Sequence, residues 1–146
     1  MDSVRNNNEM RPFPLAMNVQ RAASRLGFDW PDITGVFDKV AEELAELRDA
    51  ERSGDNDHAR AELGDLLFAA VSVARFLDAD PEQCLHEATK RFQSRLDMVA
   101  KIAEKEGVSL QSCAAERLDA LWEQAKRLMR QQLEKDLDKH PCSGAD

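Results

Sequence analysis

Apolar residues recur at three- and four-residue intervals along most of this chain, the spacing of one face of an α-helix. From Pro14 to Leu26 the stripe is Leu15, Val19, Ala22, Ala23 and Leu26, and Gly27 ends it. The loop Gly27-Phe28-Asp29-Trp30-Pro31-Asp32 follows, with Trp30 expected as its packing anchor. A second helix is predicted from Gly35 to Arg52, stopping in Ser53-Gly54-Asp55-Asn56. The third runs from Asp57 to Leu77 and is nearly continuously apolar after Leu63, so it is expected to be buried on most sides. Asp80-Pro81-Glu82-Gln83 reads as a helix start, with Asp as N-cap, Pro at the first helical position and Gln three residues after the cap. That fourth helix continues to Glu106, and Gly107 closes it. A last helix begins after Ser109 or Ser112 and carries Leu118, Leu121, Trp122 and Leu128.

The predicted fold is therefore all-α, an antiparallel bundle of about five helices with a four-helix core, in which helices two to four are central. Residues 1–13 are expected to be a loose arm, 14–138 one domain, and 139–146 a frayed tail. A length of 146 residues suits a single domain. With 42% apolar and 33% charged residues, six Gly and no Tyr, composition adds no argument for a sheet. The net charge of -8 argues against nucleic acid as a partner, and no apolar run of membrane-spanning length argues for a membrane. Cys84, Cys113 and Cys142 form no CxxC pair and read as reduced thiols of a cytoplasmic protein, with Cys84 as core filler.

Two acidic pairs change this picture from fold to chemistry. Glu43 with Glu46, and Glu62 with Asp65, each place two carboxylates three residues apart on one helix face. At about 100° per residue, Val36, Val40, Leu44 and Leu47 define the buried stripe of the second helix. Glu43 falls on its edge, Glu46 one step further out, and Glu42 further still. On the third helix Glu62 and Asp65 share a face with Ala69, Val73 and Phe76. Gly64 between them costs about 1 kcal/mol against Ala and would let a neighbouring helix or a ligand approach the backbone. Four carboxylates where two apolar helices meet repel one another and lose their water, and a divalent cation removes that cost. All-oxygen ligands select a hard ion, Mg²⁺ or Mn²⁺, over Zn²⁺. The competing reading is a set of ion pairs with Lys39, Arg60 or Arg75.

The segment Lys39-Val40-Ala41-Glu42-Glu43-Leu44-Ala45-Glu46, followed by Glu62-Leu63-Gly64-Asp65-Leu66-Leu67-Phe68-Ala69, resembles the MazG nucleoside triphosphate pyrophosphohydrolases. Their all-α superfamily carries EExxE, a spacer and then ExxD. The entry loop at Gly27–Asp32, the basic stretch Ala88–Arg95 and the last helix from Leu118 to Lys126 extend the resemblance to residues 15–130. It implies hydrolysis of a nucleoside triphosphate between the α and β phosphates, giving the monophosphate and pyrophosphate, with Mg²⁺ (or Mn²⁺) as cofactor and a homodimer as the assembly.

Mapped by motif, the resemblance makes Glu43, Glu46, Glu62 and Asp65 the metal ligands, with Glu42 or one of those ligands acting on the attacking water. Arg91 and Arg95, four apart on one face, become phosphate clamps, and Trp122 and Lys126 repeat that spacing as an aromatic surface beside a cation. Lys39 joins them as a substrate contact. Thr89 stands where many members carry Asn, and Arg91 where Lys is common; both changes bear on nucleotide selectivity more than on activity. The match is to the second, catalytic half of the two-half members. House-cleaning of non-standard nucleotides, nucleotide-pool control or (p)ppGpp turnover are the implied roles. The alternatives are a non-catalytic helical interaction module with a structural metal, or a sister enzyme restricted to dUTP/dCTP or phosphoribosyl-ATP.

Overall fold

The computed structural model describes residues 11–139; most of the arm (1–10) and the tail (140–146, with Cys142) lie outside the described residues. Those described form five α-helices and no strand: α1 (Pro12–Arg25), α2 (Ile33–Ser53), α3 (Asn56–Phe76), α4 (Pro81–Glu106) and α5 (Ala115–Lys139). A 3₁₀ turn, Leu110–Ser112, lies between the last two. The all-α expectation holds, and the predicted helix starts and stops differ mainly by one or two residues. Internal packing divides the chain into two units, one ending at Leu85 and the other beginning at His86, within α4.

In the first unit α3 packs on both α2 and α1. α1 starts at Pro12, two residues earlier than predicted, because a first-turn position needs no N–H donor. Its buried face is also rotated from the predicted one. Met17 and Gln20 are buried, whereas Val19 and Leu26 are 50% and 87% exposed. Met17 packs with Val71 and Ala74, flanked by Phe13 and Ala16. Gln20 enters this apolar seam because its Nε2 donates to the Phe68 carbonyl at 2.9 Å.

A similar rotation occurs on α2. The buried line is Val36, Glu43 and Ala50, with Val40 and Leu47 half-buried, while Leu44 is exposed. Glu43 thus occupies the middle of the stripe and not its edge. The expectation that α3 is buried on most sides fails: Leu63, Leu67 and Phe68 are each nearly half exposed. Its buried residues, Glu62, Ala69, Val71, Ser72 and Ala74, include small and polar ones, since a helix clasped by two neighbours hides only part of its circumference.

The loop before α2 is tied down by charge. Asp29 accepts two hydrogen bonds from the Arg75 guanidinium, both at 2.7 Å. Arg75 holds the Asp29 carboxyl well below the usual carboxylate range. Asp32 caps α2 by accepting from the Thr34 N–H. Trp30 lies over Gly35, where a Cβ would come within 2.5 Å of the indole, so the anchoring role predicted for Trp30 depends on a neighbouring glycine. Gly54 ends α2 at φ 76°, a conformation costly for other residues.

Asp80 caps α4 as predicted, accepting from the Glu82 and Gln83 N–H groups at 2.8 and 3.3 Å. Cys84 is exposed and not core filler, because the first turns of α4 present that position to solvent. In the second unit Val99, Ile102 and Ala103 of α4 pack with Leu121 and Ala125 of α5, closed by Val108, Leu110 and Cys113 from the connection. Arg117 and Glu106 pair across the same connection.

Asp29→Asn should lower stability by about 1–2 kcal/mol at neutral pH, since it removes a charge-assisted, largely buried pair. Asp29 titrates lower folded than unfolded, so its contribution is whole above the ordinary carboxylate range and is lost as pH falls through the folded-state value. Urea unfolding of both proteins at neutral pH and at about pH 2 checks this: the gap should narrow in acid.

Candidate functional site

The acidic motifs fall on two helices that pack side by side, α2 and α3. Glu43, Glu62 and Asp65 each offer a carboxylate oxygen, and the three oxygens lie within 4.8 Å of one another. Glu43 is 4% exposed and Glu62 9%, while Asp65 opens to solvent. This is an oxygen-only donor set with one open side, which fits a hard divalent cation and not a soft one.

Glu46, expected as a fourth ligand, stands outside that group of three. Its carboxyl is nevertheless pushed up, first by loss of hydration and then by the charges of Glu43, Glu62 and Glu42. Among the described residues, nothing beyond the adjoining turns of α3 itself comes within 4 Å of where a Gly64 Cβ would sit. The glycine therefore does not admit a neighbouring helix of this chain; it leaves open space one residue from Asp65.

The ion-pair partners foreseen from sequence separate. Arg60 bonds Asp57 at 3.0 Å and Arg75 bonds Asp29, away from the acidic group. Lys39 alone of the three reaches it: its Nζ is 2.6 Å from Glu43 and 3.1 Å from Glu42. Both carboxylates raise the Lys39 pKa, Glu43 foremost. Sequence reasoning missed His58, whose Nε2 is 2.7 Å from Glu62. The available signal was spacing, because His58 precedes Glu62 by four residues as Lys39 precedes Glu43.

The basic residues belong to the second unit. Arg91, Arg95 and Lys126 line one groove of about 420 Å³ between α4 and α5. Two further cations, Lys90 and Arg130, line it as well, and neither was singled out from sequence. Arg130 extends the four-residue series Trp122, Lys126, Arg130, which was legible. Trp122 does not itself line the groove but underlies one of its cations: the Arg95 guanidinium sits 4.9 Å over its ring, and Phe92 meets it at 5.2 Å. Arg95 Nε is buried without a hydrogen-bond partner among the described residues. Lys126 bonds Glu123 at 2.6 Å and holds that carboxyl below its usual range. Five cations around one groove in a chain of net charge -8 make a local anion-attracting field.

Residues 33–100, which include both acidic motifs, match the model of the MazG nucleotide pyrophosphohydrolase domain. The chain is 43% identical over 112 residues to a Thermotoga maritima protein named nucleoside triphosphate pyrophosphohydrolase/pyrophosphatase MazG. It is 35% identical over 114 residues to an Escherichia coli nucleoside triphosphate pyrophosphohydrolase. Each alignment covers 77% of this chain and 43% of the relative, so the chain spans less than half the length of these curated relatives. It is also 41% identical over 71 residues to the Bacillus subtilis protein YabN, covering 49% of this chain and 14% of that one. The paired acidic motifs, their convergence on α2 and α3, and these matches agree: the chain belongs to the MazG family.

Proposed function

We propose that this chain is a hydrolase of nucleoside triphosphates, cleaving between the α and β phosphates to release the monophosphate and pyrophosphate. The observation that carries the reading is the convergence of Glu43, Glu62 and Asp65 within 4.8 Å, inside the segment that matches the pyrophosphohydrolase domain. In this reading Glu43, Glu62 and Asp65, with Glu46 as the fourth, hold Mg²⁺ or Mn²⁺. Such an ion supplies charge neutralisation of the triphosphate and a more acidic water.

The chain's own side chains do the rest. Glu42, or one of the ligand carboxylates, orients the attacking water or takes its proton. Arg91, Arg95 and Lys126 bind phosphate oxygens, and the Trp122 ring holds Arg95 in place while offering an apolar surface. Lys39 is a further substrate contact. The domain is taken as residues 14–138. Control of the nucleotide pool, including removal of non-standard nucleotides or (p)ppGpp, is the role this activity supplies. Free thiols at Cys84 and Cys113 suit a cytoplasmic setting.

A homodimer is part of the same reading. Phe37 and Leu44 on α2, and Leu63, Leu67 and Phe68 on α3, are between 39% and 52% exposed, a set of large apolar side chains that a second copy would cover. Leu67→Lys should shift the species seen by sedimentation toward monomer, and an unchanged distribution counts against this face.

Pyrophosphate, orthophosphate and monophosphate release from a panel of NTPs and dNTPs, with Mg²⁺ and with EDTA, tests the reaction. Mg²⁺-dependent pyrophosphate matched by monophosphate is expected, and orthophosphate would mean that another bond is cut. Glu43→Ala and Asp65→Ala should each lower kcat on the order of 10²-fold or more with the helical content retained. Arg95→Ala should raise KM by about tenfold or more, the weight of a charge-assisted bond to phosphate.

A further inference from the structure

Glu43 is the most enclosed carboxylate of the acidic group, with a side chain only 6% exposed, and Lys39 Nζ sits 2.6 Å from it. A buried carboxylate without a counterion is costly, so this pairing is more than an incidental contact on a helix surface. The same ammonium also lies 3.1 Å from Glu42, whose side chain is 55% exposed. Lys39 therefore stands between an inner carboxylate that belongs to the metal set and an outer one that does not.

We propose that Lys39 is a resident competitor of the divalent cation: it neutralises Glu43 when no ion is bound and is displaced onto Glu42 when one is. The inference rests on the metal reading of Glu43, Glu62 and Asp65 given above. Three observations carry it. An ion held by the Glu43 carboxylate draws on the same negative charge that Lys39 uses, and two cations a few ångströms apart repel. Lys39 keeps one of its two partners on leaving Glu43, because Glu42 is already within reach three residues along the helix. The lysine side chain is itself 36% exposed, so the movement needs no repacking of α2 or α3.

The arrangement has two consequences. The acidic group stays tolerable to the fold at low metal concentration, since its deepest charge keeps a partner. Metal affinity is held below what three carboxylates alone would give, because loading must first dislodge an ammonium. A lysine released at that moment stands beside the loaded site, which is where a phosphate contact would be needed. Lys39 is in this sense a substrate contact that becomes available once the ion has arrived.

Calorimetric titration of Mg²⁺, and separately Mn²⁺, into the wild type, Lys39→Met and Lys39→Arg tests this without substrate. Lys39→Met should bind the ion about threefold tighter or more, and Lys39→Arg should stay near the wild type. Thermal melts should show Lys39→Met less stable than the wild type in EDTA, with the difference shrinking at saturating Mg²⁺. Equal or weaker binding by Lys39→Met, in a protein whose wild type does bind, overturns the proposal and leaves the metal reading standing. Binding by neither form overturns both.

Discussion

A carboxylate in the middle of an apolar seam is the constraint around which the first unit is arranged. On α2 the inward line Val36, Val40, Leu47 and Ala50 is interrupted by Glu43, and α3 answers it with Glu62 and Asp65. Dispersion and apolar burial cannot close the seam at that level, because like charges at this separation repel and have lost much of their water. Charge has to be met by charge. Lys39, one helical turn before the buried Glu43, does part of this from within the chain, and the His58 imidazole contacts Glu62 at the same spacing. The open side at Asp65 and the empty space beside Gly64 leave the remainder to something that enters from solvent. Buried carboxylates of this kind lower the stability of their own scaffold, and apolar packing elsewhere in the unit, notably the Met17, Val71 and Ala74 cluster, offsets that cost.

The second unit solves a simpler problem. Its core of Val99, Ile102, Ala103, Leu121 and Ala125 is apolar throughout, and its cations stand at the surface of a groove. What distinguishes that groove from an ordinary basic helix face is the support beneath it. Arg95 rests on Trp122, and Trp122 on Phe92, so the guanidinium is held in place by rings. Lys126 differs, since Glu123 already shares its charge. Within a chain of net charge -8, positive potential of this sort arises only where cations are clustered deliberately.

Much of the fold and of the acidic site was legible in the sequence. The five helices were, because turn residues and caps act locally: Asp32 and Asp80 bond N–H groups two or three residues away, and Gly54 and Gly107 take φ values of 76° and 68° that other residues avoid. The acidic residues were legible too, because i and i+3 on a helix share a face whatever the helix packs against. Helix phase was misread on α1 and α2 for one reason. Counting apolar residues rejects Gln20 and sets Glu43 at the rim, yet a single bond to the Phe68 carbonyl admits the first, and pairing with Lys39 admits the second.

Sequence by itself determined an all-α chain, its helix ends, its acidic and basic stations and their spacing within each helix. These depend on interactions spanning a turn or two of backbone, which a linear pattern encodes directly. Only tertiary structure decided which carboxylates meet across α2 and α3, that Glu46 stands outside the group of three, that Arg75 goes to Asp29 and Lys39 to Glu43, and that α3 leaves Leu63, Leu67 and Phe68 uncovered. Each of these depends on which faces two helices turn toward one another, and that is settled by the summed packing of many residues distant in the chain.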